Sequence, residues 1–243
     1  MVERTRKRAL VVGLGGLGCP VAAVLARVDE LELWLCDDDL VDESNLHRQL
    51  LYREQDVGKD KLAAAEHALL ELGVSEERLH LVRSRLLPDN ARELVRQVDV
   101  VIEGADNFAT KFLAADAAHL EARPIVHGAG IRFVATAWAV SAAGGPCYRC
   151  LFEDVPPGAQ RGCSEAGVMG PVVGFCGALM ADLALRVLGN DPTAYGSLYT
   201  YDGERDRLRQ VEASRRPGCP LCGDSPSIAE IKASRYTNPT CAA

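Results

Sequence analysis

The stretch ALVVGLGGLG, residues Ala9–Gly18, decides the fold. Ala9–Val12 is a run of four apolar residues with no polar alternation, the pattern of a short strand covered on both faces. The glycines of Gly13–Gly18 then permit a tight turn and close backbone approach, and an Ala/Val/Leu-rich segment continues to about Val28 as a helix. Strand, glycine turn and helix in that order place a helix N-terminus where a phosphate can sit. A turn that uses glycine only for packing is the plainer reading. Asp37, which closes a second apolar run at Leu31–Cys36, favours nucleotide binding, because a carboxylate there can take ribose hydroxyls. The motif itself suits NAD, FAD or ATP alike.

Working outward, the chain alternates. A helix is expected over Lys61–Leu72, where Leu62, Ala65, Leu69 and Leu72 recur at spacings of three and four. Leu79–Val82 reads as a strand, Pro88–Gln97 as a helix with proline in its first turn, Val98–Ile102 as a strand and Phe108–Ala122 as a helix. Pro124–His127 and Ile131–Val140 read as strands separated by Gly128 and Gly130. The fold class is therefore α/β, a doubly wound and mostly parallel sheet. Past Val140 come a Gly/Pro turn, a Pro/Gly-rich loop around EDVPPGAQRG and an apolar helix over Val168–Leu188. Ser197–Tyr201 and Arg207–Val211 read as a hairpin around Asp202-Gly203, and a polar tail follows. No linker divides the chain. A single domain over 1–243 is expected, with a nucleotide-binding half at about 8–140, a second half at about 141–223 and the tail at 224–243.

Composition narrows the classes. The 243 residues are 48% hydrophobic and 25% charged, as in soluble globular proteins. A net charge of −7 argues against nucleic acid and anionic membrane surfaces as partners. The most continuous apolar run of the C-terminal half, Val172–Ala181, contains Gly177 and reads as a buried helix, not a membrane span. MVERTRKR at the start lacks the apolar segment of a signal peptide, so a cytoplasmic location and reduced cysteines are expected.

One connection carries unusual chemistry. CDDDLVDESNLHRQLLYREQDVGKDK, residues Cys36–Lys61, combines three aspartates with Asn45, Arg48 and Lys61. A dinucleotide enzyme needs a carboxylate there and little else. Two cations near a helix N-terminus suit a triphosphate whose charge must be neutralised as pyrophosphate departs. Taken singly, Arg48 or Lys61 would be read as a solvated surface charge. Asp106 follows the Val98–Ile102 strand at the C-terminal edge of the sheet, where an aspartate can hold Mg²⁺ against phosphate oxygens. It could equally cap the Phe108 helix, a task open to Asn107 as well.

Nine cysteines, with no export signal, do not read as a disulfide framework. Cys147-Tyr-Arg-Cys150 and Cys219-Pro-Leu-Cys222 form two CxxC pairs, enough thiolates for a closed tetrahedral structural Zn²⁺ site. A redox pair and iron–sulfur ligation are the rival readings. Cys19, Cys36 and Cys176 sit in apolar segments and read as core residues.

GLGGLG, DDDLVDESNLHRQ, VGKDK, ADN, CYRC, CSEAGVMGP and PGCPLCG, in that order from Gly13 to Gly223, resemble the ThiF/MoeB family, bacterial relatives of the ubiquitin-activating enzymes. The resemblance implies a Rossmann-like sheet continued by antiparallel strands, with a four-cysteine zinc clip. It implies ATP- and Mg²⁺-dependent adenylation of the C-terminal glycine of a small ubiquitin-like carrier protein, often a sulfur carrier. The glycine loop (Gly13, Gly15, Gly16) and Asn107 would line the nucleotide, Asp37 the ribose, Asn45, Arg48 and Lys61 the phosphates, and Asp106 the metal. In ThiF-like relatives the cysteine matching Cys163 is linked to sulfur transfer; by position alone it is as readily an incidental loop thiol. The chain departs from the family in having only eight residues before the first strand, where relatives carry a helix with an arginine that reaches the partner subunit's nucleotide. Arg4, Arg6 or Arg8 would have to replace it. A homodimer and a separate sulfur donor are the implied partners. A catalytically impaired partner subunit and an NAD-dependent oxidoreductase are the alternatives.

Overall fold

In the first strand, β1 (Lys7–Val12), the run Ala9–Val12 is buried, and its side chains divide between two cores. Ala9 and Val11 join one apolar cluster, Leu10 and Val12 the other, which is why no polar residue interrupts the run. The computed structural model describes residues 6–155 and 167–236. Its strands β1, β2 (Leu31–Cys36), β3 (Leu79–Val82), β4 (Val100–Glu103), β5 (Ile125–Ile131), β6 (Val134–Val140), β7 (Ser197–Asp202) and β8 (Arg207–Glu212) form one sheet. The order is β3-β2-β1-β4-β5-β6-β7-β8. The first five strands in this order pair in parallel, and β6, β7 and β8 continue antiparallel. This is the mixed, doubly wound α/β sheet expected from the sequence.

Three helices cover one face: α1 (Gly18–Leu25), α2 (Lys61–Glu71) and the long α6 (Gly170–Leu188), through Leu25, Leu69 and Met180 among others. The opposite face carries α3 (Ala91–Arg96), α4 (Phe108–Leu120) and the short α5 (Tyr148–Leu151), through Val95, Phe112 and Tyr148. By length and composition α6 could cross a membrane, but half of its apolar window is buried inside the fold. Met180, Leu183 and Ala184 have no exposed surface, and each large side chain so buried is worth roughly 1.5–3 kcal/mol. It is the core helix expected from the sequence.

Two expectations need correction. The Pro88–Gln97 helix begins only at Ala91, because the Asn90 carboxamide accepts from Leu87 N at 2.8 Å and holds the preceding residues in a turn. Gly128 and Gly130 do not separate two strands. They lie within β5, and the reversal into β6 falls at Arg132–Phe133, with Arg132 at φ 52°. The physical reason is helix packing: a Cβ at Gly128 would stand 2.1 Å from Met180 Sδ, and one at Gly130 2.6 Å from Val173 Cγ1. The glycines let α6 approach the strand.

Candidate functional site

The chain leaves β1 toward β2 and leaves β4 toward β5, so the connections after β1 and β4 flank one crevice at the C-terminal edge of the sheet. Both are pinned by backbone. Gly13 N donates to Cys36 O at 2.9 Å and Gly104 N to Val12 O at 3.0 Å. Gly13 has φ 85°, and a Cβ at Gly18 would stand 1.9 Å from Gly13 O, so both ends of the turn require glycine.

Asp37 is 8% exposed and already committed to this frame. Its Oδ2 accepts from Leu14 N at 2.6 Å and its Oδ1 from Asp39 N at 2.8 Å, tying the glycine turn to the end of β2. The next segment is a chain of local turns. Asp42 accepts from Ser44 N, and Asn45 O receives both Arg48 N and Gln49 N at 3.0 and 3.1 Å. These turns lay Arg48 beside Gly16, whose added Cβ would meet Arg48 Cγ and Cδ at 3.4 Å. Arg48 has no ion pair among the described residues; its Nη1 lies 3.4 Å from His47 Nε2.

Lys61 opens α2, whose N-cap Asp60 accepts from Ala63 N. The lysine is 5% exposed, and its Nζ donates to Asp39 Oδ2 at 3.0 Å. A buried ammonium requires such a counter-charge, since an unpaired ion away from water is strongly disfavoured. The backbone enforces the pairing: Lys61 N donates to Asp39 O, and Leu40 bridges Asp60.

Across the crevice, Asp106 is exposed and has no hydrogen bond or ion pair among the described residues. The capping ambiguity resolves here: Asn107 Oδ1 accepts from Thr110 N at 2.9 Å, which leaves the Asp106 carboxylate free. Sequence reasoning missed the network beneath it. Glu103, fully buried at the end of β4, accepts from Ala105 N at 2.7 Å, from Lys111 Nζ at 3.1 and 3.2 Å, and pairs with His127 Nδ1 at 3.2 Å. Lys111 Nζ also donates to Gly128 O at 2.5 Å. Burial works against the Glu103 carboxylate, but Lys111 and His127 overcome it and hold its pKa below the usual range. Burial pushes the His127 pKa down. A histidine and a lysine flanking a strand-end glutamate were visible in the sequence, but nothing there placed them on one carboxylate. Gln49, 4% exposed and close to Gly15, was also missed.

The four paired cysteines converge on the opposite face. Cys147, Cys150, Cys219 and Cys222 are all buried, with their sulfurs within 4.8 Å of one another. Cys147 Sγ is 3.9 Å from Cys150 Sγ and 3.5 Å from Cys219 Sγ, and Cys150 Sγ is 3.4 Å from Cys222 Sγ. A tetrahedron with metal–sulfur bonds of about 2.3 Å has edges of about 3.8 Å, so the spacing fits a closed four-thiolate site. Arg216 N donates to Cys150 Sγ at 3.4 Å and Arg215 Nε to Cys222 O at 2.7 Å, which orients the ligands. By contrast Cys19, Cys36 and Cys176 are inert core thiols: burial pushes each up to about 12. Cys163 and Arg4 lie outside the described residues. Arg6 pairs with Glu77 and Arg8 with Glu32, while the Arg8 backbone N donates to Asp99 Oδ2, all at the far end of β1 from the crevice.

The ThiF family signature matches residues 3–221. The chain belongs to the ThiF family. This ThiF chain is 41% identical over 233 residues to the sulfur carrier protein adenylyltransferase of Thermus thermophilus, a match covering 93% of this chain and 86% of the relative. It is 38% identical over 226 residues to the adenylyltransferase and sulfurtransferase MOCS3 of Sus scrofa, covering 92% of this chain and spanning 50% of that protein. Among solved structures, E. coli MccB with MccA-N7isoASN superposes with a TM-score of 0.77 at 21% identity, over 91% of this chain and 68% of that one. That likeness is one of fold.

Proposed function

We propose that the crevice between β1 and β4 binds ATP and that the chain adenylates the C-terminal glycine of a ubiquitin-like sulfur carrier. The chain is an adenylyltransferase by family and by its named relatives, and the NAD-dependent reading falls with that membership. The observation that carries the site is the contrast in partnering around one crevice. Among the described residues, Asp106 is exposed and unpartnered, Arg48 lacks a carboxylate partner, and buried Lys61 has only Asp39 for its charge.

A carboxylate is a poor electrophile because its leaving group would be oxide. The carrier's carboxylate oxygen attacks the α-phosphorus of ATP, the bond from that phosphorus to the bridging oxygen breaks, and pyrophosphate leaves with the electron pair. The product is an acyl-adenylate whose later leaving group is AMP. The attacking carboxylate is already ionised at neutral pH, so no general base is required. What the chain supplies is alignment and charge. The glycine turn and the α1 N-terminus cradle phosphate, Asp37 and Asn107 border the nucleoside, Asn45 donates a hydrogen bond to phosphate oxygen, and Arg48 and Lys61 neutralise the departing pyrophosphate. Asp106, a free carboxylate at the crevice, fits a Mg²⁺ ion, which when bound neutralises phosphate oxygens. An apolar groove of about 440 Å³, lined by Phe133, Met169, Val172, Phe175 and Tyr201, borders the N-terminus of α6 and offers the carrier a docking face.

The clip cysteines hold Zn²⁺ in this reading, with no open position and so no catalytic part. A homodimer, a separate sulfur donor and capture of the acyl group by Cys163 complete it. None of the described cysteines is in a disulfide, and we infer a reducing cytoplasm. Exchange of labelled pyrophosphate into ATP, driven by a carrier ending in glycine, tests the reading. Exchange dependent on that glycine is expected. Its absence with every sulfur carrier tried would leave a binding subunit without turnover.

A further inference from the structure

Between α4, β5 and the metal clip lies a cavity with no assigned role, lined by His119, Arg123, His127, Ser141, Cys147 and others. About 10 Å³ of it is open to the centre of a water molecule, close to the space one water needs. Three of its lining residues carry a buried nitrogen with no hydrogen-bond partner: His119 Nδ1, Arg123 Nε and His127 Nε2. Buried polar atoms are rarely left unpaired, and three around one small void point to a missing molecule.

The protonation of each nitrogen follows from its neighbours. The Glu103 carboxylate is held ionised by Lys111 and can only accept, so His127 donates through Nδ1–H. Burial keeps that imidazole neutral, which makes its Nε2 a lone-pair acceptor. Burial likewise favours neutral His119. Its Nδ1 is the unpaired atom and, with the proton on Nε2, is a second acceptor. Arg123 Nε–H is a donor, its Nη2 being occupied by Arg96 O at 3.0 Å.

We infer that the cavity holds one resident water molecule that donates to His127 Nε2 and His119 Nδ1 and accepts from Arg123 Nε. Three hydrogen bonds are what a buried water ordinarily makes. A halide does not fit, since it cannot donate to two imidazole lone pairs. A cation does not fit beside a guanidinium. The water closes an unbroken polar chain. It runs from Ala105 N, next to Asp106, through Glu103 and His127, and then through the water to His119 and Arg123. The site does not depend on the chain's being an adenylyltransferase.

A crystal structure of the unmodified protein at about 1.5 Å tests this directly. One peak of water density with three contacts of about 2.7–3.2 Å is expected. An empty cavity, or a peak with the anomalous signal or contact lengths of an ion, would overturn it. His119→Phe fills the space and removes one acceptor; the water peak should vanish and the thermal midpoint fall by about 3–8 °C. A peak that persists in that variant would show that the molecule is not held as stated. Should the variant not fold, density in the unmodified protein alone decides.

Discussion

At the cysteine clip four thiols are buried within 4.8 Å of one another, and neighbouring backbone and arginine donors orient them. At the crevice the reverse holds: among the described residues Asp106 is exposed and unpartnered, and the Arg48 guanidinium has His47 as its one polar partner. The two regions lie on one sheet and are both rich in groups that bind ions, yet one is a closed, buried set of four donors and the other is left open to solvent. Mutual satisfaction in the interior yields stability, while polar groups left without partners at a sheet edge are available to a ligand. Lys61 stands between the two cases, buried like a clip residue but paired through a single aspartate.

The largest expected effect falls on the clip. Elemental analysis should find about one zinc per chain, and stripping the metal with a strong chelator should unfold the protein or lower its thermal midpoint by more than about 10 °C, because structural metal binding is folding free energy. A metal-free preparation with unchanged stability would remove the contrast. The crevice should respond in activity. Lys61→Ala is expected to lower kcat/KM for ATP by about 100-fold and Arg48→Ala by about 10–100-fold, as for the loss of a charge-stabilising group in other active sites. Lys61→Ala leaves Asp39 half exposed and still paired with Arg85 at 3.4 Å, so little stability should be lost; Arg48→Ala should show no loss.

Smaller effects sharpen the comparison. Gly128→Ala drives a methyl group into Met180 at the β5–α6 contact and should lower the thermal midpoint by about 3–10 °C while leaving the crevice residues in place. The smallest effect concerns pH. His127 has a folded pKa below its ordinary 6.5, so the unfolded chain takes up a proton that the native one refuses, and stability should decline as pH falls from 6.5 toward the folded value. Glu103 is also held below its ordinary 4.5, and its contribution should be lost as pH falls further through its folded value. Denaturant titrations at stepped pH would show this, and His127→Gln should reduce the upper part of the decline, leaving the share from His119, which burial also holds below 6.5.

Much of this was readable in advance where spacing carries the information. The apolar run before GLGGLG fixed a two-faced buried strand, and the two CxxC pairs met as their spacing implied, since each knuckle needs only local geometry. The order of motifs from Gly13 to Gly223 pointed to the family, and the match over residues 3–221 agrees. What could not be read depends on contacts distant in sequence. Gly128 and Gly130 looked like breaks because the helix they make room for lies far along the chain. Lys111 and His127 stand 8 and 24 positions beyond Glu103, and only the folded sheet edge joins them. Lys61 was read as a phosphate ligand, but its commitment to Asp39 required the Leu40–Asp60 bridge to be seen.

The central claim is that the crevice performs the chemistry and the clip holds the fold. Asp106→Ala and Cys219→Ser, each measured for pyrophosphate exchange per folded molecule and for thermal midpoint, test it most directly. Asp106→Ala should lose exchange by at least about 100-fold with its midpoint within about 2 °C of the unmodified protein. Cys219→Ser should lose more than about 10 °C, while whatever folded fraction remains at low temperature still exchanges. Near-normal exchange by Asp106→Ala, or an unshifted midpoint for Cys219→Ser, would contradict this division of labour.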